Sequence, residues 1–401
     1  MTHTSEARLL QAARWALYGT VAGLPLYVVR WHYGPLPTTL LETLIIATVL
    51  LYGIARWRDG MRHPTSTPYD VPIVMLLAAG AISVFVAADH RGALGLYRAY
   101  FIEPIAIYYV ATDLLAAPAH IQRFVIAFAA GSSAFAVLNL IVFLRAVAAH
   151  NVHVGAAPNA FYGDANYVAM YLEPPVAIAA GLLMLGQSAR WKRFGGAWLL
   201  ITGSALAVMF SKGSYLALAA LVIVALITVP RWRIALAAAA VAAVLVATQI
   251  PLAMQRLATV ASSIGGREQI FGATVSILRA HPIFGIGLGG YSYQFRGSTP
   301  EIYPHDIWLT FWVELGTLGA VAFAVILFGL MWRGWRAWPL TDGMYRSVLW
   351  GVLGALVLWT VHGLVDSPYW KNDMSTEFWL LAALQLVILR AVKHPAAARS
   401  A

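Results

Sequence analysis

The sequence predicts an all-α, polytopic integral membrane protein with about twelve transmembrane helices. Three observations predict it. First, 60% of the residues are hydrophobic and 11% charged, with a mean hydropathy of +0.72; a soluble domain carries roughly 25% charged residues. Second, the apolar residues fall into runs of about 20, the length that crosses a bilayer as a helix. Third, the basic residues are shared unevenly between the connecting loops. The net charge of +10 is therefore a topology signal and not the footprint of a nucleic-acid partner. The chain has no cysteine, which excludes disulfides and thiolate metal sites.

Apolar segments are expected near residues 15–31, 36–55, 71–88, 94–112, 121–144, 166–186, 196–211, 214–230, 234–251, 307–332, 346–366 and 376–392. The first lacks a small-residue cleavage site and reads as an uncleaved span. With the N-terminus in the cytoplasm, 17 of the 27 Lys and Arg fall in cytoplasmic segments, notably "RWRDGMRH", "SARWKRFGG" and "PRWR". Both termini are then cytoplasmic. One outer loop is long, 252–306, and a second, 145–165, is moderate. The chain reads as one transmembrane domain, 1–401, with 252–306 as an extracytoplasmic loop within it.

The long loop holds "HPIFGIGLGGY" at 281–291. Gly285-x-Gly287-x-x-Gly290 has the spacing of a dinucleotide fingerprint, but that motif has meaning only inside a βαβ unit. No parallel-sheet pattern surrounds it, so a tight turn is expected after a helix ending at Ala280, with Pro282 blocking continuation. Upstream, Ile270, Phe271, Thr274, Ile277 and Leu278 recur at helical spacing after Arg267, predicting an amphipathic helix along the membrane surface. "AYFIEPIAI" at 99–107 echoes "AMYLEPPVAI" at 169–178. The echo is too short for a duplicated transporter and reads as chance or local packing.

Four features together resemble the signature of the O-antigen ligase and polymerase superfamily. They are Arg267, the "HPIFGIGLGGY" stretch, "HDIWL" at 305–309 and "ELGTLG" at 314–319. The family pattern is an Arg, a His-Pro-x-x-Gly-x-Gly turn, a His-Asn pair opening a helix, and Glu-x-Gly-x-x-Gly inside it. Two departures stand out: Asp306 replaces the Asn, and "FSKGSYL" supplies Lys212 where the family has Ser-Arg-Gly. Lys keeps the charge but loses the planar, bidentate grip on phosphate.

The resemblance implies a GT-C-like membrane fold and an undecaprenyl-diphosphate-linked glycan donor. It places the reaction at the periplasmic face of the bacterial inner membrane, among membrane lipids. A ligase would use lipid A–core as acceptor; the related polymerase would use a second lipid-linked glycan. A transporter or flippase is the rival from another class, disfavoured by the absence of long inverted repeats.

The residues fit such chemistry. A diphosphate leaving group needs preorganised cations more than a general acid. Arg267 and Lys212 are the outer-face candidates, and Arg98, beside Tyr97 and Tyr100, is a third. Arg279 and Arg296 are candidates to meet glycan or phosphate, with solvated loop charge as the alternative. A neutral imidazole suits removal of the acceptor's proton, and His305 is best placed for it. Asp306, Glu314, Asp366 and Tyr293 are expected to support the site, with Glu314 holding the catalytic helix. Glu103 and Glu173 lie inside spans, where ionisable groups are costly. His362 and Tyr369 lie near the outer end of a span. The outer acidic residues Asp164, Glu268, Glu301 and Asp306 are scattered, and no His pair sits at i, i+4 on an outer helix. A reaction without metal or cofactor is expected.

Overall fold

Apolar runs in a bilayer have no water for their backbone groups, so each must close its own hydrogen bonds, as helices do. The structure, a computed structural model, describes residues 2–34, 36–58, 66–153, 157–258, 260–294 and 303–393. Its helices are α1 (Thr2–Ala22), α2 (Leu40–Arg58), α3 (Asp70–Val86), α4 (His90–Tyr97), α5 (Glu103–Leu114), α6 (Pro118–Ala148), α7 (Ala165–Leu185) and α8 (Ala189–Ala207). Then follow α9 (Lys212–Thr228), α10 (Arg233–Gln249), α11 (Pro251–Ala258), α12 (Val260–Ala280), α13 (Gly290–Gln294), α14 (Ile307–Ala337), α15 (Gly343–His362) and α16 (Asn372–Lys393).

The molecule is an all-α polytopic membrane protein. Among the described residues six helices are long and apolar enough to cross a membrane, or seven if the pair Lys212–Thr228 and Pro230–Val246, bent by 115°, is one span. Several expected segments differ in shape. The span expected at 15–31 ends as a helix at Ala22 and continues as a 3-10 turn, Leu24–Val28, with Pro25 in its first positions. A hairpin of β1 (Arg30–Tyr33) and β2 (Leu36–Thr39) follows, Arg30 facing Thr39; the sequence reading did not foresee it. The segments expected at 214–230 and 234–251 meet in the sharp bend at Pro230, which lacks the N–H to continue a helix.

Charge sorts by the ends of the helices. α2 carries Glu42 in its first turn and Arg56 in its last, while α16 starts at Asn372 and carries Arg390 near its end. Asn372 donates to Glu42 at 2.9 Å, so those two ends coincide. At the other end Arg56 pairs with Asp113 and Arg390 donates to Ser66 O at 3.1 Å. His305 and His362 stand at the first end, Arg336 and Arg346 at the second, because α14 and α15 run antiparallel through the bundle.

α14 is broken at Gly316 (φ 73°, ψ −176°). In an intact helix the Thr317 N–H would donate to Val313 O, four residues back. Here Thr317 N donates to Ile283 O at 2.9 Å, and Val313 O accepts from Ile286 N at 2.8 Å. The 281–290 turn has put its own backbone into the gap. Trp312 Nε1 and Thr317 Oγ1 both donate to Pro282 O at 2.7 Å. The buried Glu314 carboxylate accepts from the Gly289 amide and, at 3.1 Å, from the Tyr291 amide. Gly285 (φ 68°) and Gly316 are both left-handed. A Cβ on Gly285 would stand 2.1 Å from Val313 O, and one on Gly316 2.2 Å from Ile283 O. The two glycine motifs are thus one device, which ties the start of α14 to α12. The turn follows a helix that ends at Ala280, and its glycines serve backbone insertion.

Candidate functional site

Asp306 caps α14, accepting from Leu309 N at 2.8 Å. Asp and Asn cap helices about equally well, so the departure from the family's His-Asn pair keeps this function. Burial raises the Asp306 carboxyl above its ordinary range, opposed by the Leu309 and Trp308 amides. His305, one residue earlier, has φ 54°, a left-handed conformation costing a non-glycine residue about 1–2 kcal/mol. Its Nδ1 lies 3.3 Å from Asp366 Oδ1, with His305 partly exposed and Asp366 buried.

The 363–371 segment that carries Asp366 is docked on the start of α14. Ile307 N donates to Gly363 O at 2.7 Å, and Thr310 Oγ1 and Ser367 Oγ are 2.7 Å apart. Burial opposes ionisation of Asp366. The hydrogen bond and charge of His305, the charge of His362 and the Ser367 amide outweigh it, and the carboxyl is held below its ordinary range. An imidazole donating Nδ1–H to a carboxylate carries its lone pair on Nε2, the tautomer a base requires.

A second histidine–carboxylate pair lies one turn before Asp366. His362 Nδ1 is 2.5 Å from Glu173 Oε1, and both side chains are buried. Glu173 precedes Pro174 and Pro175 inside α7, where two N–H groups are missing. The Ser-Lys-Gly turn forms the start of α9. Ser211 caps it, accepting from Ser214 N at 3.4 Å, and Ser214 Oγ lies 3.5 Å from His362 Nδ1. Gly213 packs so closely on His362 that a Cβ would stand 2.4 Å from Nε2. Lys212 is half-buried in this first turn. Arg267 on α12 is near enough for its charge to act on His362. The structure therefore gathers His305, Asp366, His362, Glu173, Arg267 and the turn bearing Lys212 at one end of the bundle.

Other expected residues stand elsewhere. Arg98 pairs with Glu42 at 2.9 Å and Glu103 at 3.2 Å, and donates to Pro37 O at 3.1 Å. It opens a π-helical segment, Arg98–Ile102, between α4 and α5. The two sequence echoes thus share one local device, a buried Glu before Pro that holds a basic side chain. Arg279 is exposed in the last turn of α12, where a cation suits the helix dipole. Tyr293 is exposed on α13. Arg296 lies outside the described residues.

Two residues escaped the sequence reading. Lys371 Nζ sits 3.4 Å from the Tyr167 ring centroid and donates to Tyr27 Oη at 2.8 Å. Burial pushes its amine down to about 8, with Asp373 and Asp164 opposing. Its only signal was a lone Lys among aromatics in "SPYWKND". Glu42 closes a capping box with Thr39, accepting from Thr39 N and donating its own N–H to Thr39 Oγ1, both at 3.1 Å. The Thr-x-x-Glu spacing at 39–42 was the signal for it.

Fold and site define an all-α membrane protein with a histidine-centred polar site at one end of its bundle. Residues 195–324 match the family model described as O-antigen ligase. The matched segment holds the Ser-Lys-Gly turn, Arg267, the glycine turn, His305 and Glu314, and it places that segment in the O-antigen ligase and polymerase superfamily. The class is thus a glycosyltransferase-like ligase or polymerase. A comparison with curated proteins gave no match.

Proposed function

We propose that the protein is an O-antigen ligase of the bacterial inner membrane. In this reading it moves a glycan from undecaprenyl diphosphate to lipid A–core at the periplasmic face, by metal-independent inverting displacement. The observation that carries it is the pairing of His305 with buried Asp366 next to the cation-bearing start of α9 and Arg267. His305 Nε2 takes the acceptor hydroxyl's proton as that oxygen attacks the anomeric carbon. The bond to the diphosphate breaks, its electrons pass to the leaving oxygen, and one displacement inverts the centre. Asp366 holds the imidazole tautomer, and Arg267 and Lys212 offset the charge gathering on the diphosphate. Asp306 and Glu314 hold the helix that presents the base. Arg279, Arg296 and Tyr293 are further candidates to meet glycan or phosphate in this reading. Arg98, already compensated by two carboxylates, shapes a neighbouring wall. The topology that goes with this reading has twelve spans, both termini cytoplasmic and 252–306 outside.

The test gives purified protein the lipid-linked donor with and without lipid A–core. Transfer to the core supports the ligase. Elongation of the donor glycan without core assigns a polymerase. Two unchanged glycans return the protein to the transporter class.

A further inference from the structure

One short stretch of backbone, 362–367, joins the Ser-Lys-Gly turn to His305. His362 ends α15, and its carbonyl accepts the Val365 and Asp366 amides, each at 2.9 Å. Gly363 O accepts from Ile307 N, two residues after His305. A Cβ on Gly363 would stand 2.7 Å from Ile307 Cγ2, so this contact has no slack. Asp366 Oδ1 accepts the Ser367 amide at 2.9 Å while it faces His305.

The His362 side chain reaches the other way. Its ring lies against Gly213, between Lys212 and Ser214, where a Cβ would meet Nε2 at 2.4 Å and Cδ2 at 2.5 Å. The charge of Arg267 acts on the same ring. Glu173 holds the ring from α7, and α7 is itself seated tightly on α15: a Cβ on Gly351 would stand 2.4 Å from Ile178 Cα. Such close backbone approach is how helices in a membrane fix one another. The ring is therefore held by one helix and its backbone by another.

Backbone strain marks both ends of this path. Phe210, just before the turn, has φ 53°, and His305 has φ 54°. Non-glycine residues persist in that region only where their surroundings hold them there.

We infer that His362 and Glu173 are positioning residues: the imidazole is the seat of the Ser-Lys-Gly turn, and the 362–366 backbone sets how far that turn stands from His305. Its value to the reaction rests on the reading above, in which the turn's cation meets a diphosphate and His305 a hydroxyl. Reacting groups misplaced by about 1 Å lose on the order of 10²-fold in rate.

The test uses the full protein in phosphatidylcholine nanodiscs. Farnesyl diphosphate is the calorimetric probe, and the transfer assay supplies kcat and both KM values. Gly213→Ala drives a methyl group into the ring. It is expected to weaken probe binding about tenfold, to raise the donor KM and lower kcat, and to leave the acceptor KM unchanged; a general loss of folding would not separate the two substrates. His362→Ala removes the seat and should weaken the probe similarly. The double variant should be no worse than His362→Ala alone, because the added methyl then meets no ring. Glu173→Ala frees the imidazole and should also weaken the probe, whereas Glu173→Gln keeps an acceptor oxygen for it and should restore most of the binding. If Glu173→Ala does not fold, the Gly213 and His362 cycle decides. Wild-type probe binding in Gly213→Ala overturns the inference, as do additive losses in the double variant. Equal losses in folded Glu173→Ala and Glu173→Gln also overturn it, by making charge rather than position the cause. Probe binding that follows these variants in a protein that transfers no glycan keeps the seat and rejects the ligase; transfer with probe binding unmoved by them does the reverse.

Discussion

His305 and Asp366 work as a pair only while the carboxylate is ionised. The Asp366 carboxyl is lowered in the folded protein. Its stabilisation is therefore complete above the unfolded value, near 3.8, and is lost as pH falls through the lower folded value. Unfolding followed against pH should show the wild type losing its margin over Asp366→Asn on that acid side. At neutral pH, Asp366→Asn should slow transfer on the order of 10²-fold while donor binding persists, because the tautomer is no longer held. His305→Gln should cost about 10²–10⁴-fold. A near wild-type rate in His305→Gln hands the base role to a carboxylate such as Asp306. Arg267→Ala should abolish transfer and Arg267→Lys restore part of it, since the fork is lost but the charge kept; full activity in Arg267→Ala removes this residue from the mechanism. Arg267 and His305 could be singled out because they sit in short, spaced motifs. The His362–Glu173 pair was not legible, because its partners are 189 residues apart and only helix packing brings them together.

At the scale of elements, the break in α14 should be the point most sensitive to small substitutions. Gly316→Ala places a Cβ 2.2 Å from Ile283 O and forces a residue with a side chain into positive φ with extended ψ, a region essentially reserved for glycine, costing about 1–3 kcal/mol. Glu314→Ala leaves the half-buried Gly289 amide and the buried Tyr291 amide without their acceptor, at about 1–3 kcal/mol for the buried one, whereas Glu314→Gln keeps one acceptor oxygen and should lose less. Thermal unfolding in detergent ranks the three variants. A Glu314→Ala protein as stable as the wild type would show that the turn holds without the carboxylate. The helix end at Ala280 was legible because Pro282 dictates it. The insertion of the turn into α14 was not, since Gly316 and Ile283 are paired by backbone atoms and no side-chain pattern encodes that. The hairpin at 30–39 escaped because its two ends were absorbed into the spans expected at 15–31 and 36–55, and period alone does not separate a short strand from a helix end.

For the whole molecule, the uneven share of basic residues becomes a statement about sides. The end of the bundle with Arg56, Arg336, Arg346 and Arg390 is opposite the end with His305, Asp366 and Lys371. If positive charge stays in the cytoplasm, the site faces outward, the side on which the proposed reaction uses its glycan donor. Cations rather than a metal are then the proposed partners of the diphosphate, so transfer should survive excess chelator. Loss on chelation, restored by a divalent ion, would make carboxylates such as Asp306 ligands. The orientation can be measured directly, because the chain has no cysteine and a single introduced thiol is unique. Asn151, in the 149–164 connection, and Ser188, between α7 and α8, are both exposed, and α7 separates them. A helix of its 21 residues is about 31 Å long, the thickness of a bilayer core. The two positions must therefore lie on opposite sides. In intact spheroplasts an impermeant thiol reagent should label Asn151→Cys and spare Ser188→Cys, with both labelled once the membrane is opened. Labelling of Ser188→Cys alone would turn the bundle over, place His305 and Arg267 in the cytoplasm, and remove the periplasmic glycan donor from the proposed reaction.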